Sequence, residues 1–185
     1  MIRNKIRDQY GILLTSKDIS NITQSERSLD GNNLRTFQQL LHDKYGCITK
    51  VKASDRNEFE ALFFTNSDMQ KSVTNWPEIL FVDGTYKLFN LRYTLYLLII
   101  QNGNGRGEIG GVAITASETA HVLEWIAKTF RENNSKACQN TKCIMTDKGL
   151  TERKAFEAVF PGIKCLLCLF HTLKSFDKHT EKSKL

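Results

Sequence analysis

Two aspartates stand where a carboxylate can do chemistry: Asp83 inside the apolar run Phe81-Val82-Asp83-Gly84-Thr85-Tyr86, and Asp147 at the end of Cys143-Ile144-Met145-Thr146. Strand alternation puts Asp83 on one face with Phe81 and Thr85. A carboxylate in such a run needs a cation, a hydrogen-bond network or solvent, because an unpaired buried charge is costly. Asp147 ends its strand and is followed by Lys148 and Gly149, and the carboxyl ends of strands in α/β sheets are where ligands bind. Two such carboxylates brought together suit Mg²⁺ or Mn²⁺, hard cations that take oxygen ligands. A metal so held lowers the pKa of an attacking water and offsets charge in phosphoryl transfer. The plainer alternative for Asp147 is a cap on the helix that starts near Thr151.

A second constellation is Cys165-x-x-Cys168-x-x-His171. Thiolate and imidazole bind zinc, but the odd spacing turns the two cysteines to opposite faces of a strand. A fourth ligand is also lacking, so zinc is not expected and the cysteines read as part of a buried apolar strand. His171, at a strand-to-helix junction, is the more exposed member. Cys138 and Cys143 lack metal-type spacing.

These residues need elements to hold them. Leu34, Phe37, Leu40 and Leu41 form a helical stripe ending before Gly46, and Thr15 or Ser16 can cap a short helix ahead of it. The runs at 47–54 and 58–66 predict a hairpin, and residues 68–78 a short helix stopped at Pro77. A domain boundary is expected near residue 75. Beyond it come a strand through Asp83, a strand at 92–102, an Asn-Gly turn, a strand at 108–117, a helix capped by Ser117 with Val122, Leu123, Ile126, Ala127 and Phe130 inward, a strand ending at Asp147, a helix stopped at Pro161-Gly162, a strand at 163–170 and the start of a third helix. The order β-β-β-α-β-α-β-α predicts a mixed α/β sheet of ribonuclease H-like strand order. That order makes the first and fourth strands neighbours and brings Asp83 to Asp147. The expected division is a small α+β region over 1–75, the ribonuclease H-like domain over 76–176, and a helical remnant over 177–185.

The 185 residues are 41% hydrophobic and 25% charged, which excludes wholesale disorder. A net charge of +6 permits a polyanionic partner such as DNA. Five cysteines, an odd number, do not form a secreted disulfide framework. The longest apolar stretch, Leu95 to Ile100, is far short of the roughly 20 residues that span a bilayer. The expectation is an intracellular chain, in a reducing compartment, with no membrane partner.

With these residues placed, the stretch from about 76 to 176 resembles the transposase domain of Mutator-like elements, most closely the domesticated zinc finger SWIM domain-containing proteins. The matching pieces are Asp83-Gly84-Thr85-Tyr86-Lys87, the Gly111-x-Ala113 lead into Glu118-Thr119, Thr146-Asp147, Val159-Phe160-Pro161 and Cys168-x-x-His171. The resemblance implies a C-terminally truncated ribonuclease H-like fold, Asp83 and Asp147 as two of three catalytic acids on Mg²⁺, and Cys168 with His171 beside them. It also implies nuclear residence. The family's third acid, a Glu on a late helix, has no counterpart here, since Asp177 and Glu181 come too early, and the SWIM cysteine/histidine set does not follow. The expectation is therefore a catalytically incomplete, domesticated domain with residual DNA or metal binding and a regulatory or interaction role. The alternatives are a nuclease completed by another chain or segment, and a non-enzymatic DNA-binding module using the N-terminal helices. A missing final helix would leave one sheet face poorly covered and favour oligomerisation.

Overall fold

The computed structural model describes residues 31–85, 93–147 and 149–168. The helices expected near Thr15 and after residue 170, together with His171, Asp177 and Glu181, lie outside the described residues.

Helix α1 (Gly31–Tyr45) forms on the expected stripe, burying Phe37 and Leu41. It ends where Gly46 takes φ +61° and donates to the His42 carbonyl at 2.9 Å, a left-handed cap that glycine adopts without steric cost. Strands β1 (Ile48–Ala53) and β2 (Phe59–Thr65) pair as the expected antiparallel hairpin. Helix α2 (Ser67–Asn75) is capped by Asn66, whose side chain accepts from the Met69 N–H at 2.9 Å, and it stops two residues before Pro77.

Strands β3 (Ile79–Thr85), β4 (Thr94–Gln101) and β5 (Gly107–Thr115) follow as an antiparallel meander. Helix α3 (Ala120–Asn133), a short 3₁₀ turn at Ala137–Asn140, strand β6 (Cys143–Thr146), helix α4 (Leu150–Val159) and strand β7 (Lys164–Leu167) complete the order. Two details differ from the sequence reading. Thr119, not Ser117, holds the N-cap position of α3 and makes no side-chain capping bond. Asp147 does not cap α4, whose N-cap position is Gly149, again without a side-chain bond.

One seven-stranded sheet runs β1-β2-β5-β4-β3-β6-β7. β3 pairs with β6, and β6 with β7, in parallel; the crossovers through α3 and α4 make that pairing possible. The ribonuclease H-like order is present in the last five strands, with β1 and β2 added beyond β5. The boundary drawn near residue 75 therefore does not divide the described residues. β2 pairs with β5, and Phe63, Val73, Leu98 and Phe130 share one core, so the hairpin and α2 belong to the same packed body.

On one sheet face α3 and α4 pack over Leu80, Val82, Tyr96, Leu98 and Ile144. Fully burying such a side chain contributes about 1.5–3 kcal/mol. On the other face α1 covers the β2-β5-β4 half, with Phe37 edge-on to Phe64 at 6.4 Å. Further along that second face the register sets Ile99, Phe81, Met145 and Leu166 side by side across β4, β3, β6 and β7. Leu166 is 49% exposed, so among the described residues this part of the face is the poorly covered one. No helix of the described residues is long and apolar enough to cross a membrane.

Candidate functional site

Asp83 lies in β3 opposite Leu97 of β4. Its neighbour Val82 pairs with Thr146 of β6, and Asp147 is the residue after Thr146, just past the strand end. The two aspartates therefore follow a register pair on adjacent parallel strands, which run about 4.8 Å apart. Both are half-buried. The parallel β3–β6 pairing, which needs the α3 crossover, is what brings them together from 64 positions apart in the sequence.

The Cys168 N–H donates to the Thr146 carbonyl at 2.8 Å, continuing the β6–β7 ladder so that Cys168 falls beside Asp147. With Phe81, Asp83, Ile99 and Met145 it lines a shallow cavity of about 250 Å³. Cys165 is buried in the core on the other face. The separation of the two thiols is the one their odd spacing predicts, and they do not face a common ion. Burial pushes the Cys138 thiol up to about 11 and raises those of Cys143 and Cys165, so none of these three is set up as a thiolate nucleophile.

Three further residues gather near this end of the sheet; the sequence reading placed Glu118 only within a family motif and did not single out Tyr96 or Glu152. The Tyr96 hydroxyl, from β4, donates to Glu118 Oε1 at 3.2 Å. Glu152, in the first turn of α4, is 9% exposed. Its Oε2 is buried and has no hydrogen-bond partner. Burial raises the Glu152 carboxyl to about 7; a hydrogen bond with Tyr96 opposes the rise, and the charges of Asp147, Glu118 and Asp83 add to it. Burial likewise pushes the Tyr96 phenol far up, helped by Glu152 and Glu118. A signal for Glu152 exists in the sequence: residues 152, 155, 156 and 159 form the buried stripe of α4, so an acid occupies an apolar position.

Asp83, Asp147, Glu118 and Glu152 are all oxygen donors, which suits a hard cation in kind; of the four, Glu118 and Glu152 lie against the Tyr96 hydroxyl. The orphaned Glu152 oxygen is what such an ion, or a proton, would satisfy. Among the described residues, no three His, Cys, Asp or Glu side chains converge on one point as they stand. Mg²⁺ keeps several waters and is commonly held by one or two carboxylates, so its chemistry does not require a third.

Comparison with known proteins decides the family. The family model described as zinc finger SWIM domain-containing protein 1/3, RNaseH-like domain, matches residues 38–166. The chain belongs to this family. The match begins inside α1, well ahead of residue 75, in keeping with the continuous sheet. Among curated proteins, the chain is similar to Protein FAR-RED IMPAIRED RESPONSE 1 of Arabidopsis thaliana, 25% identical over 147 residues that cover 79% of this chain and 17% of that one. It is also similar to the PKS-NRPS hybrid synthetase cheA of Chaetomium globosum, 19% identical over 194 aligned positions, 98% of this chain and 4% of that one. The chain thus spans under a fifth of either relative's length. It is a Mutator-like, transposase-derived domain with a ribonuclease H-like fold.

Proposed function

We propose that this transposase-derived domain holds a divalent cation, Mg²⁺ or Mn²⁺, between Asp83 and Asp147 and engages the phosphate backbone of DNA there without cutting it. The observation that supports this reading is the register of β3 and β6, in which Asp83 and Asp147 each follow the paired Val82 and Thr146. Asp83 and Asp147 would be the ligands. When bound, the ion would supply the positive charge that lets a phosphate approach two carboxylates. The chain's own part is to fix the pair on two rigid strands and to leave one side of it open toward the cavity at Cys168. Turnover is not expected, because no third carboxylate of the described residues converges on the pair. The net charge of +6 supports a polyanionic partner. DNA association in turn supports a nuclear regulatory or interaction role.

The test is nicking of supercoiled DNA in Mg²⁺ and Mn²⁺, alongside DNA binding across a salt series. Salt-dependent binding without nicking is the expected result, the log-log slope counting phosphate contacts. Nicking that both Asp83→Asn and Asp147→Asn abolish would instead establish the second reading, a nuclease. The unpartnered buried oxygen of Glu152 is the observation that favours that second reading.

A further inference from the structure

We propose that strand β7 is a docking edge for a second copy of this chain: two copies pair β7 with β7 antiparallel about a two-fold axis at Leu166, joining their sheets into one. Among the described residues, β7 ends the seven-stranded sheet and has a neighbour on its β6 side only. An unpaired strand edge presents a row of N–H and C=O groups that another strand can take up. The phase of that row follows from the β6–β7 ladder. The Cys168 N–H donates toward β6, to the Thr146 carbonyl at 2.8 Å. Backbone groups alternate sides along a strand, so those of Cys165 and Leu167 point outward.

A two-fold at Leu166 sets Cys165 of one copy opposite Leu167 of the other, which is the register those outward groups require. Opposed residues in that position exchange both of their N–H···O=C bonds. Leu166 meets its own copy at the axis, in the closer position that makes no backbone bond. The side chains agree with the backbone. Leu166 and Leu167 are 49% and 47% exposed and, being successive strand residues, lie on opposite faces. The pairing covers Leu166 with its own copy and Leu167 with the strand at Cys165. Charge is complementary as well. Lys164, exposed at the start of β7, falls opposite Cys168, which lies beside Asp147. The two-fold also runs the two copies of α4 antiparallel. In that order Arg153 and Glu157, an ion pair at 2.7 Å within one helix, offer opposite charges to each other across the joint.

The other edge of the sheet is blunted. On β1, Lys50 and Lys52 are held by Glu132 at 2.8 Å and Glu60 at 3.0 Å, and the register shifts between Lys52 and Ala53. Lysines and bulges are the devices by which proteins close an edge to further pairing. In β7 only Lys164 is charged, and it stands at the strand's first position.

Sedimentation velocity of the full chain over a concentration series should show a monomer–dimer equilibrium. Leu167→Pro removes an outward N–H that the β6–β7 ladder does not use, and edge strands tolerate proline at such positions. It should weaken the dimer by about tenfold or more, because a donor is lost on each chain. Leu166→Cys should cross-link to a covalent dimer under mild oxidant, since residues opposed at the axis lie about 4.5 Å apart at Cα, within disulfide reach. The wild type, and Ile48→Cys on the β1 edge, should not cross-link. Far-UV dichroism confirms that each variant is folded. A wild-type chain that stays monomeric throughout the series, or Leu166→Cys that cross-links no faster than Ile48→Cys, would overturn the proposal. So would a folded Leu167→Pro that associates as the wild type does; together with loss of association in Leu166→Glu, that result would assign association to the sheet face instead.

Discussion

Replacing Glu152 by Gln gives a stability prediction whose sign and size follow from the site. The folded-state carboxyl lies at about 7 against an ordinary 4.5, chiefly through burial and then through the charges of Asp147, Glu118 and Asp83. A raised acid means the folded chain holds the proton more tightly than the unfolded one. Below 4.5 the group is neutral in both states and imposes no penalty. As pH rises from 4.5 through 7, the unfolded chain ionises first and stability falls with pH. The difference of about 2.5 units corresponds to roughly 3 kcal/mol, at about 1.4 kcal/mol per unit, and water reaching the site would reduce it. Glutamine carries no charge to desolvate and can keep the hydrogen bond to Tyr96, so it escapes the penalty. Urea unfolding from pH 4 to 8 in EDTA should show the two chains nearly equal at pH 4, with Glu152→Gln the more stable by up to about 3 kcal/mol at pH 8. A variant less stable than wild type at pH 8, or curves that stay parallel across the range, would refute the burial of Glu152 among carboxylates.

Two further outcomes test the frame around the site. Gly110→Ala would drive a Cβ to 2.6 Å from Val73 Cγ2, and such overpacking costs roughly 1–3 kcal/mol; the melting temperature should drop by several degrees, and an unchanged value would mean that α2 does not pack on β5. Leu166→Glu places a charge in the uncovered row of Phe81, Met145 and Ile99, so sizing chromatography over a concentration series should show less self-association than wild type, and equal association would remove that row as the cause.

Both aspartates were legible because strand alternation and strand ends are local signals: Asp83 interrupts an apolar run and Asp147 terminates one. The order of the last five strands was legible too, since three close strands followed by helical crossovers permit few topologies. The join between β2 and β5 was not, because it pairs residues about 50 apart and no local period encodes a partner. A hint lay in Ala61–Thr65, buried at every position, as befits a strand covered on both faces. Glu152 escaped notice for a different reason. An acid in the first turn of a helix reads as a dipole-complementing surface residue, and only its place on the stripe with Ala155, Phe156 and Val159 says otherwise. Ser117 was expected as a helix cap and Asp147 had a cap as its plainer alternative, and neither caps; the backbone path decides which residue takes the cap position.

The measurement closest to the central claim is a Mn²⁺ titration followed by paramagnetic resonance, comparing the wild-type chain with Asp83→Asn and Asp147→Asn. The pair predicts one saturable site in the wild type that either substitution weakens by about tenfold or more, as expected when a charged oxygen ligand is lost. Equal Mn²⁺ binding by all three chains would contradict it.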